Sequence, residues 1–484
     1  MEHKPTIGRD AVSLTVSKMI VLLIAMVSSM LLSRFRSFEE YGTYSQLLMV
    51  ITLVTTVIMM GLPNSLNYFL AGADTDQDRR HFLSVYYTIT TVLSLLVGAV
   101  LVAVTPLLIA YFENPLIGDF LYFLALFPWT RIILSGVENI LVVYRRTPWI
   151  TVYRLANSFA LLGIILLVQL CGWSFRTYML LYLGVEIAFA LAVYVIATEN
   201  AGGLRPSFDP LLIKKIFTFS IPIGIATMVG TLNIELDKLM IGGLTDTEQL
   251  AIYTNASKEM PVTVIATSIT TVLLPQMVRL LKKGENKTAA TLWSDATLLS
   301  FTVTGFLSMA LFVFAPEVIT LLYSAKYLPG TAVFRIYSLL LLFRCTYFGM
   351  VLNATGHTKM ILYSSIGSLI LNLGLNYVFF FLFGFEGPAV ASLLALVVMT
   401  VFQLSWTSRV LGIGLRQLFD WRALLTSLVL NLLLAAVFLT LKVILPLEEW
   451  IGRLPEAILL GLLWCLAFLL LHGRSLKQIW QRLR

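Results

Sequence analysis

The stretch Phe120-Leu-Tyr-Phe-Leu-Ala-Leu-Phe-Pro-Trp-Thr-Arg131-Ile-Ile-Leu-Ser-Gly-Val-Glu138-Asn-Ile-Leu-Val-Val143, followed by Tyr144-Arg145-Arg146, decides the fold class. It is an apolar run long enough to cross the roughly 30 Å hydrocarbon core of a bilayer as a helix. Two arginines close one end and a single arginine sits inside it. The first feature gives a topology signal, and the second puts a charge where it costs energy.

Working outward, thirteen further runs of similar length occur, for fourteen in all: near 11–32, 43–66, 83–110, 119–143, 149–171, 177–198, 215–240, 250–278, 293–314, 333–354, 360–383, 387–408, 423–445 and 455–472. With 58% hydrophobic residues, 12% charged and a mean hydropathy of +0.88, the chain has too little polar surface for a water-facing globule. The expected class is therefore an all-α, polytopic membrane protein with fourteen transmembrane helices. The first run lacks a small-residue cleavage site and reads as a span rather than a signal peptide.

The 34 Lys and Arg sort with the runs: 21 fall in alternate short segments, 6 in the intervening ones and 7 inside the runs. Because basic loops are retained on the cytosolic side, this sorting predicts both termini in the cytosol. The net charge of +8 is then topology signal, and no basic patch with interleaved aromatics points to nucleic acid. Cys171, Cys345 and Cys465 are too scattered for a disulfide or CxxC site, and the four histidines never reach ligand spacing, so no metal or cofactor is expected. Asp74-Thr-Asp76 has the form of a glycosyltransferase DxD, but it stands in a short loop with no nucleotide fold around it. No P-loop sequence is present, so transport would draw on a gradient, with H+ or Na+ as candidate coupling ions, or on downstream consumption of the product.

A shift of about 212 residues superposes Tyr41 on Tyr253, Pro63 on Pro275, Gly72 on Gly284 and Tyr111 on Tyr323. This predicts two parallel six-helix halves, residues 1–200 and 201–410, with two further spans and a basic tail in 411–484.

Of the seven basic residues inside runs, Arg154, Lys238 and Arg335 lie near span ends, where a long side chain reaches the interface. Arg131 and Arg344 lie near mid-depth and 213 residues apart, matching the repeat. A charge at the bilayer centre costs about 2.5–3.5 kcal/mol on insertion scales unless it faces water or a partner. Both are therefore candidate cavity residues, with Lys18 and Lys258 as further candidates. Guanidinium suits bidentate binding of phosphate oxygens, so such a cavity favours an anionic head group. Glu138, Glu186 and Glu259 are candidates for ion coupling or for structural pairing.

The run Asn353-Ala-Thr-Gly-His-Thr-Lys359, then Leu371-Asn-Leu-Gly-Leu-Asn376, then Gly384-Phe-Glu-Gly-Pro-Ala-Val390 resembles that of the polysaccharide and oligosaccharide (O-antigen type) flippases. They belong to the multidrug/oligosaccharidyl-lipid/polysaccharide exporter superfamily. Ile234-Glu-Leu-Asp237-Lys238, Ala251-Ile-Tyr253 and Glu39-Glu-Tyr41-Gly42 are similar to further parts of that family, and Pro388 departs from its usual small residue. The resemblance implies a non-enzymatic transporter in the cell membrane. Its cargo would be an undecaprenyl-diphosphate-linked glycan crossing to the outer leaflet by alternating access, with membrane lipids around it and polymerase or glycosyltransferase neighbours. A multidrug or cation antiporter and a lipid II flippase are the alternatives within the superfamily. A membrane glycosyltransferase would need a sizeable loop bearing carboxylates.

Overall fold

The computed structural model describes residues 7–70, 72–258, 260–445, 448–449 and 452–483. Among these, helices and turns are the only regular structure and no strand occurs. The chain packs as two units, divided in sequence between Ala251 and Ile252.

The first unit holds α1 (Ile7–Phe35), α2 (Phe38–Met59), α3 (Leu62–Ser65), α4 (Asp76–Ala103), α5 (Thr105–Phe112), α6 (Leu121–Leu134), α7 (Val137–Val143), α8 (Thr147–Leu170), α9 (Phe175–Ala201) and α10 (Pro210–Leu244). Helix α11 (Thr247–Ala256) spans the division. The second unit holds α12 (Thr263–Lys282), α13 (Asn286–Val313), α14 (Ala315–Leu322), α15 (Thr331–Phe343), α16 (Met350–Ala354), α17 (Thr358–Phe383), α18 (Gly387–Leu411), α19 (Leu415–Leu418), α20 (Trp421–Ile444) and α21 (Arg453–Leu483).

Twelve stretches among the described residues are helical, long and apolar enough to cross a membrane. One of them, Thr358–Leu411, runs to 54 residues and contains both α17 and α18. The run near 333–354 is absent from the twelve because it is broken into α15 and α16, and the run near 250–278 is broken into α11 and α12. Many apolar side chains face outward, including Leu170 at 85% exposure and Val443 at 82%. In water that would be unfavourable, whereas in a bilayer hydrocarbon covers them, so this is a multi-pass membrane protein.

Within the first unit α4 packs on α6, α6 on α9, α1 on α8, and α10 on α2 and α3. The α4–α6 contact depends on Gly98, where a Cβ would come within 1.9 Å of the Ala125 carbonyl oxygen. Small residues at helix crossings let backbones approach where lipid supplies no hydrophobic drive for association. In the second unit α13 is central, touching α12, α15, α20 and α21, while α17 and α18 form an antiparallel pair.

By packing, the residues up to Ala251 form one unit and those from Ile252 the other. Helix α10 joins the first unit, where Gly224 lies against the Met60 backbone so closely that a Cβ would fall 2.1 Å from the Met60 carbonyl carbon. The last two spans are attached to the second unit through α13.

The two units contain a matched order of elements. Helices α4, α5, a 3-10 turn, α6 and α7 contain 28, 8, 6, 14 and 7 residues. Helices α13, α14, a 3-10 turn, α15 and α16 contain 28, 8, 6, 13 and 5. Both series break at the same place, with Gly136 and Gly349 as the residues preceding α7 and α16.

The quoted motifs serve folding. Ser37 and Glu40 form a reciprocal capping box at α2. Thr75 accepts from the Asp78 amide, so Asp74-Thr-Asp76 is the start of α4. Asn372 donates to Ser392 at 3.0 Å across the α17–α18 seam. Pro388 sits in the first turn of α18, where its missing N–H is no loss.

Candidate functional site

The opening stretch forms α6 and α7 with a break at Ser135-Gly136. At the break the Ser135 amide closes the last turn of α6 on the Arg131 carbonyl at 3.2 Å, the Gly136 amide turns to the Ile133 carbonyl at 3.3 Å, and a Cβ at Gly136 would approach the Leu66 side chain to 2.9 Å. Pro128, inside α6, cannot donate to the preceding turn. Arg131 therefore emerges in the last turn of a helix that stops within the span, exposed rather than packed.

It lines a cavity of about 560 Å³ in the first unit, with Thr52, Thr55 and Thr56 of α2, Asn64, Ser135 and Thr227. The hydroxyl of Thr55 donates to the Ile51 carbonyl at 2.6 Å, and that of Thr227 to the Ile223 carbonyl at 3.1 Å. Their oxygens remain as acceptors for ligand hydroxyls. Among the described lining residues Arg131 alone is charged.

Behind Arg131, Glu186 of α9 is 4% exposed. Arg131 acts electrostatically on it and on Tyr182, and Asn157 Nδ2 of α8 donates to Glu186 Oε1 at 3.4 Å. Arg131 thus stands between a hydroxyl-lined cavity and a buried carboxylate. Asn157, Tyr182 and the α2 threonines escaped the sequence reading. Their signal was present: Thr52, Thr55 and Thr56 have the spacing of one helix face, and Asn157 is an amide inside an apolar run.

In the second unit Arg344 falls at the end of α15, where that span breaks, and is half-buried. Lys258 lies in the connection from α11 to α12, so it is in a break and not within a continuous helix. Both line one small pocket with Tyr337 and Ser338. Its free space, about 10 Å³, is the size of one water. Two cations thus share a small pocket in this unit, while Arg131 of the other lines a much roomier one.

The remaining candidates fall elsewhere. Lys18 is exposed on α1 and is not among the residues lining the Arg131 cavity. Glu138 of α7 forms an ion pair with Arg154 of α8. Arg154, expected to reach for the interface, is thus held by a carboxylate, and Glu138 is engaged structurally. Lys238 pairs with Glu235 one turn away at 2.6 Å, and Arg335 donates to the Phe312 carbonyl at 3.1 Å. Glu259 lies outside the described residues. Among the described residues no group of three or more His, Cys, Asp or Glu is arranged to hold a metal ion.

These features define a two-unit helical membrane fold with a cationic, hydroxyl-lined cavity. Residues 31–332 match the family described as polysaccharide biosynthesis protein, and the chain belongs to that family. It is 28% identical over 137 residues to a probable lipid II flippase MurJ from Rhizobium tropici; that match spans 28% of the chain and 26% of the relative. Among solved structures, lipid II flippase MurJ in an inward closed conformation superposes with a TM-score of 0.77 at 16% identity, covering 96% of this chain and 99% of that one. A multidrug resistance MATE family transporter of the MOP superfamily, inward-facing, gives 0.65 at 14% identity, covering 83% and 98%. At these identities the likeness is one of fold.

Proposed function

We propose that this protein is a flippase. It carries a polyprenyl-diphosphate-linked oligosaccharide from the inner to the outer leaflet of the cytoplasmic membrane for surface polysaccharide assembly. The observation that carries this reading is Arg131, exposed at mid-span in a cavity of about 560 Å³ whose other polar groups are mainly hydroxyls. A guanidinium takes phosphate oxygens, the threonines accept from sugar hydroxyls, and the lipid tail stays in hydrocarbon. Family membership and the fold shared with a lipid II flippase support it.

The accompanying topology is fourteen spans with both termini cytosolic, counting α17 and α18 separately and α15 with α16 as one broken passage. Broken helices of this kind line substrate paths in other transporters. No covalent step is assigned to the chain, and its working partners are the enzymes that build and polymerise the glycan. Glu186, with Arg131 and Asn157 beside it, is the candidate coupling carboxylate for H+ or Na+. Glu138 is the weaker candidate because Arg154 occupies it.

A second reading, lipid II as cargo, is favoured by the match to the Rhizobium relative, whose name carries that substrate. Reconstituted vesicles distinguish the cases. A fluorescent polyprenyl-diphosphate oligosaccharide should become accessible to a membrane-impermeant reagent on the far leaflet, faster than lipid II and with no uptake of an organic cation. Faster lipid II movement would transfer the assignment to the second reading, and cation antiport would remove both. Under separately imposed pH and sodium gradients, Glu186→Gln should abolish the response to whichever gradient drives the wild type. An unchanged response would take Glu186 out of coupling.

A further inference from the structure

Away from the Arg131 cavity, α8 and α9 leave a second groove in the first unit, of about 280 Å³. Its floor is apolar: the Tyr153 hydroxyl donates to the Phe189 carbonyl at 3.0 Å, and the two rings meet edge to face at 5.3 Å. That bond satisfies the phenol donor, so the floor presents ring surface. Val152, Ala156 and Ile196 continue the lining, and Trp149 lies at the side with 60% of its surface exposed. The apolar part of this groove needs no cover from protein, because hydrocarbon suffices for it.

The polar groups of the groove gather at one end: Arg146 on one side, Glu199 and Asn200 on the other. Arg145 adjoins Arg146, and both precede the first turn of α8, whose N-terminus adds partial positive charge. Asn200 Nδ2 already donates to the Ile196 carbonyl at 2.7 Å, which leaves its side-chain oxygen as an acceptor. Arginine recognises a phosphate, and basic pockets between membrane helices take anionic lipid heads. The Glu199 carboxylate beside it opposes a second phosphate and, with Asn200, accepts from hydroxyl groups instead. An aromatic at the rim is the usual interface residue for such a lipid. The complement of this groove is one phosphate, a hydroxylated head and an apolar chain.

We infer that the α8–α9 groove binds an anionic glycerophospholipid of the bilayer, of the phosphatidylglycerol type. Its phosphate lies on Arg146, its glycerol hydroxyls on Glu199 and Asn200, and one acyl chain runs over Tyr153 and Phe189. The bound lipid wedges the two helices that carry Asn157 and Glu186, so occupancy bears directly on the polar cluster behind Arg131.

Native mass spectrometry of the delipidated full chain, titrated with phosphatidylglycerol, phosphatidylcholine and a polyprenyl monophosphate, tests this. Wild type should retain phosphatidylglycerol at least tenfold more tightly than phosphatidylcholine. Arg146→Gln should erase that preference, and Ala156→Trp, which fills the groove, should weaken both lipids. Both positions are exposed, and Val152→Trp is a second filling variant should Ala156→Trp misfold. Equal retention of the two phospholipids by wild type would overturn the proposal, as would an Arg146→Gln protein that keeps the preference. Displacement of phosphatidylglycerol by equimolar polyprenyl monophosphate would also overturn it, making the groove a port for the transported lipid. The readout is binding, so it stands apart from the outcome of any transport assay.

Discussion

Single residues divide here into those that hold the helices and those that face a cavity. Arg154 and Glu138 belong to the first kind. Arg154 is mostly buried, with 15% of its side chain exposed, against 41% for Glu138. Removing the carboxylate strands a cation in a medium that hydrates it poorly, whereas removing both charges does not. Glu138→Gln should therefore lower the melting temperature in detergent. The double variant Glu138→Gln/Arg154→Gln should recover part of the loss, with a coupling of about 1–3 kcal/mol in a double-mutant cycle. Additive losses would mean the pair does not act as a unit. The sequence showed that a charge inside an apolar run needs a reason, but depth alone could not say which reason. Depth set Arg154 near a span end and Arg131 at mid-depth, but only the fold brought Glu138 of α7 to the first and opened a cavity beside the second.

Span positions were legible because hydrocarbon thickness fixes a run length and every residue in the run contributes to the signal. Breaks were not, because a glycine or proline inside an apolar run is compatible with a continuous membrane helix. Gly136 and Gly349 became informative only when both proved to precede a restarted helix. Close packing was also invisible, since Gly98 and Gly163 look the same in sequence. Gly98→Val should sharply reduce folded protein, because its side chain meets the Ala125 carbonyl. Gly163→Ala, with nothing within 4 Å of the new methyl, should be neutral or stabilising by up to about 1 kcal/mol. Fluorescence-detected size exclusion after heating separates the two, and equal behaviour would discredit the α4–α6 contact. The connection between α9 and α10 is similarly pinned. The Arg205 and Ser207 amides donate to Ser84 at 3.3 Å and Thr88 at 3.0 Å, and Asp209 bonds His81 at 3.1 Å. The hydrogen bond with His81, followed by those from the Leu212 and Leu211 amides, holds the Asp209 carboxyl below the usual carboxylate range. Its contribution is thus present above that range and is lost as pH falls through the depressed value. Protection of the amides in residues 203–212, taken relative to their intrinsic exchange rate at each pH, should fall on acidification below about pH 4, and Asp209→Asn should be poorly protected at neutral pH. A flat profile in the wild type would contradict the pinning.

At the scale of the whole molecule, the sorting of basic residues predicts an orientation and the cavities suggest a use for it. Cysteines placed singly at residues 80 and 283 should be shielded from a membrane-impermeant maleimide in intact cells, whereas one at 326 should react. Labelling in the opposite pattern would invert the topology. The two units contain a matched series of helices, yet one presents Arg131 in a roomy cavity and the other a small pocket with Arg344 and Lys258. Sequence spacing paired Arg131 with Arg344 but could not give that difference, because cavity volume depends on where the helices restart. The proposed function turns on Arg131 holding the phosphate of the cargo in its cavity. The most direct measurement is the rate at which vesicles holding wild type, Arg131→Lys or Arg131→Ala move a fluorescent polyprenyl-diphosphate oligosaccharide between leaflets. A charge-assisted hydrogen bond is worth about 1.5–3 kcal/mol, so Arg131→Ala should be slower by roughly tenfold to a hundredfold, with Arg131→Lys in between. Wild-type rates in a folded Arg131→Ala protein would contradict the account.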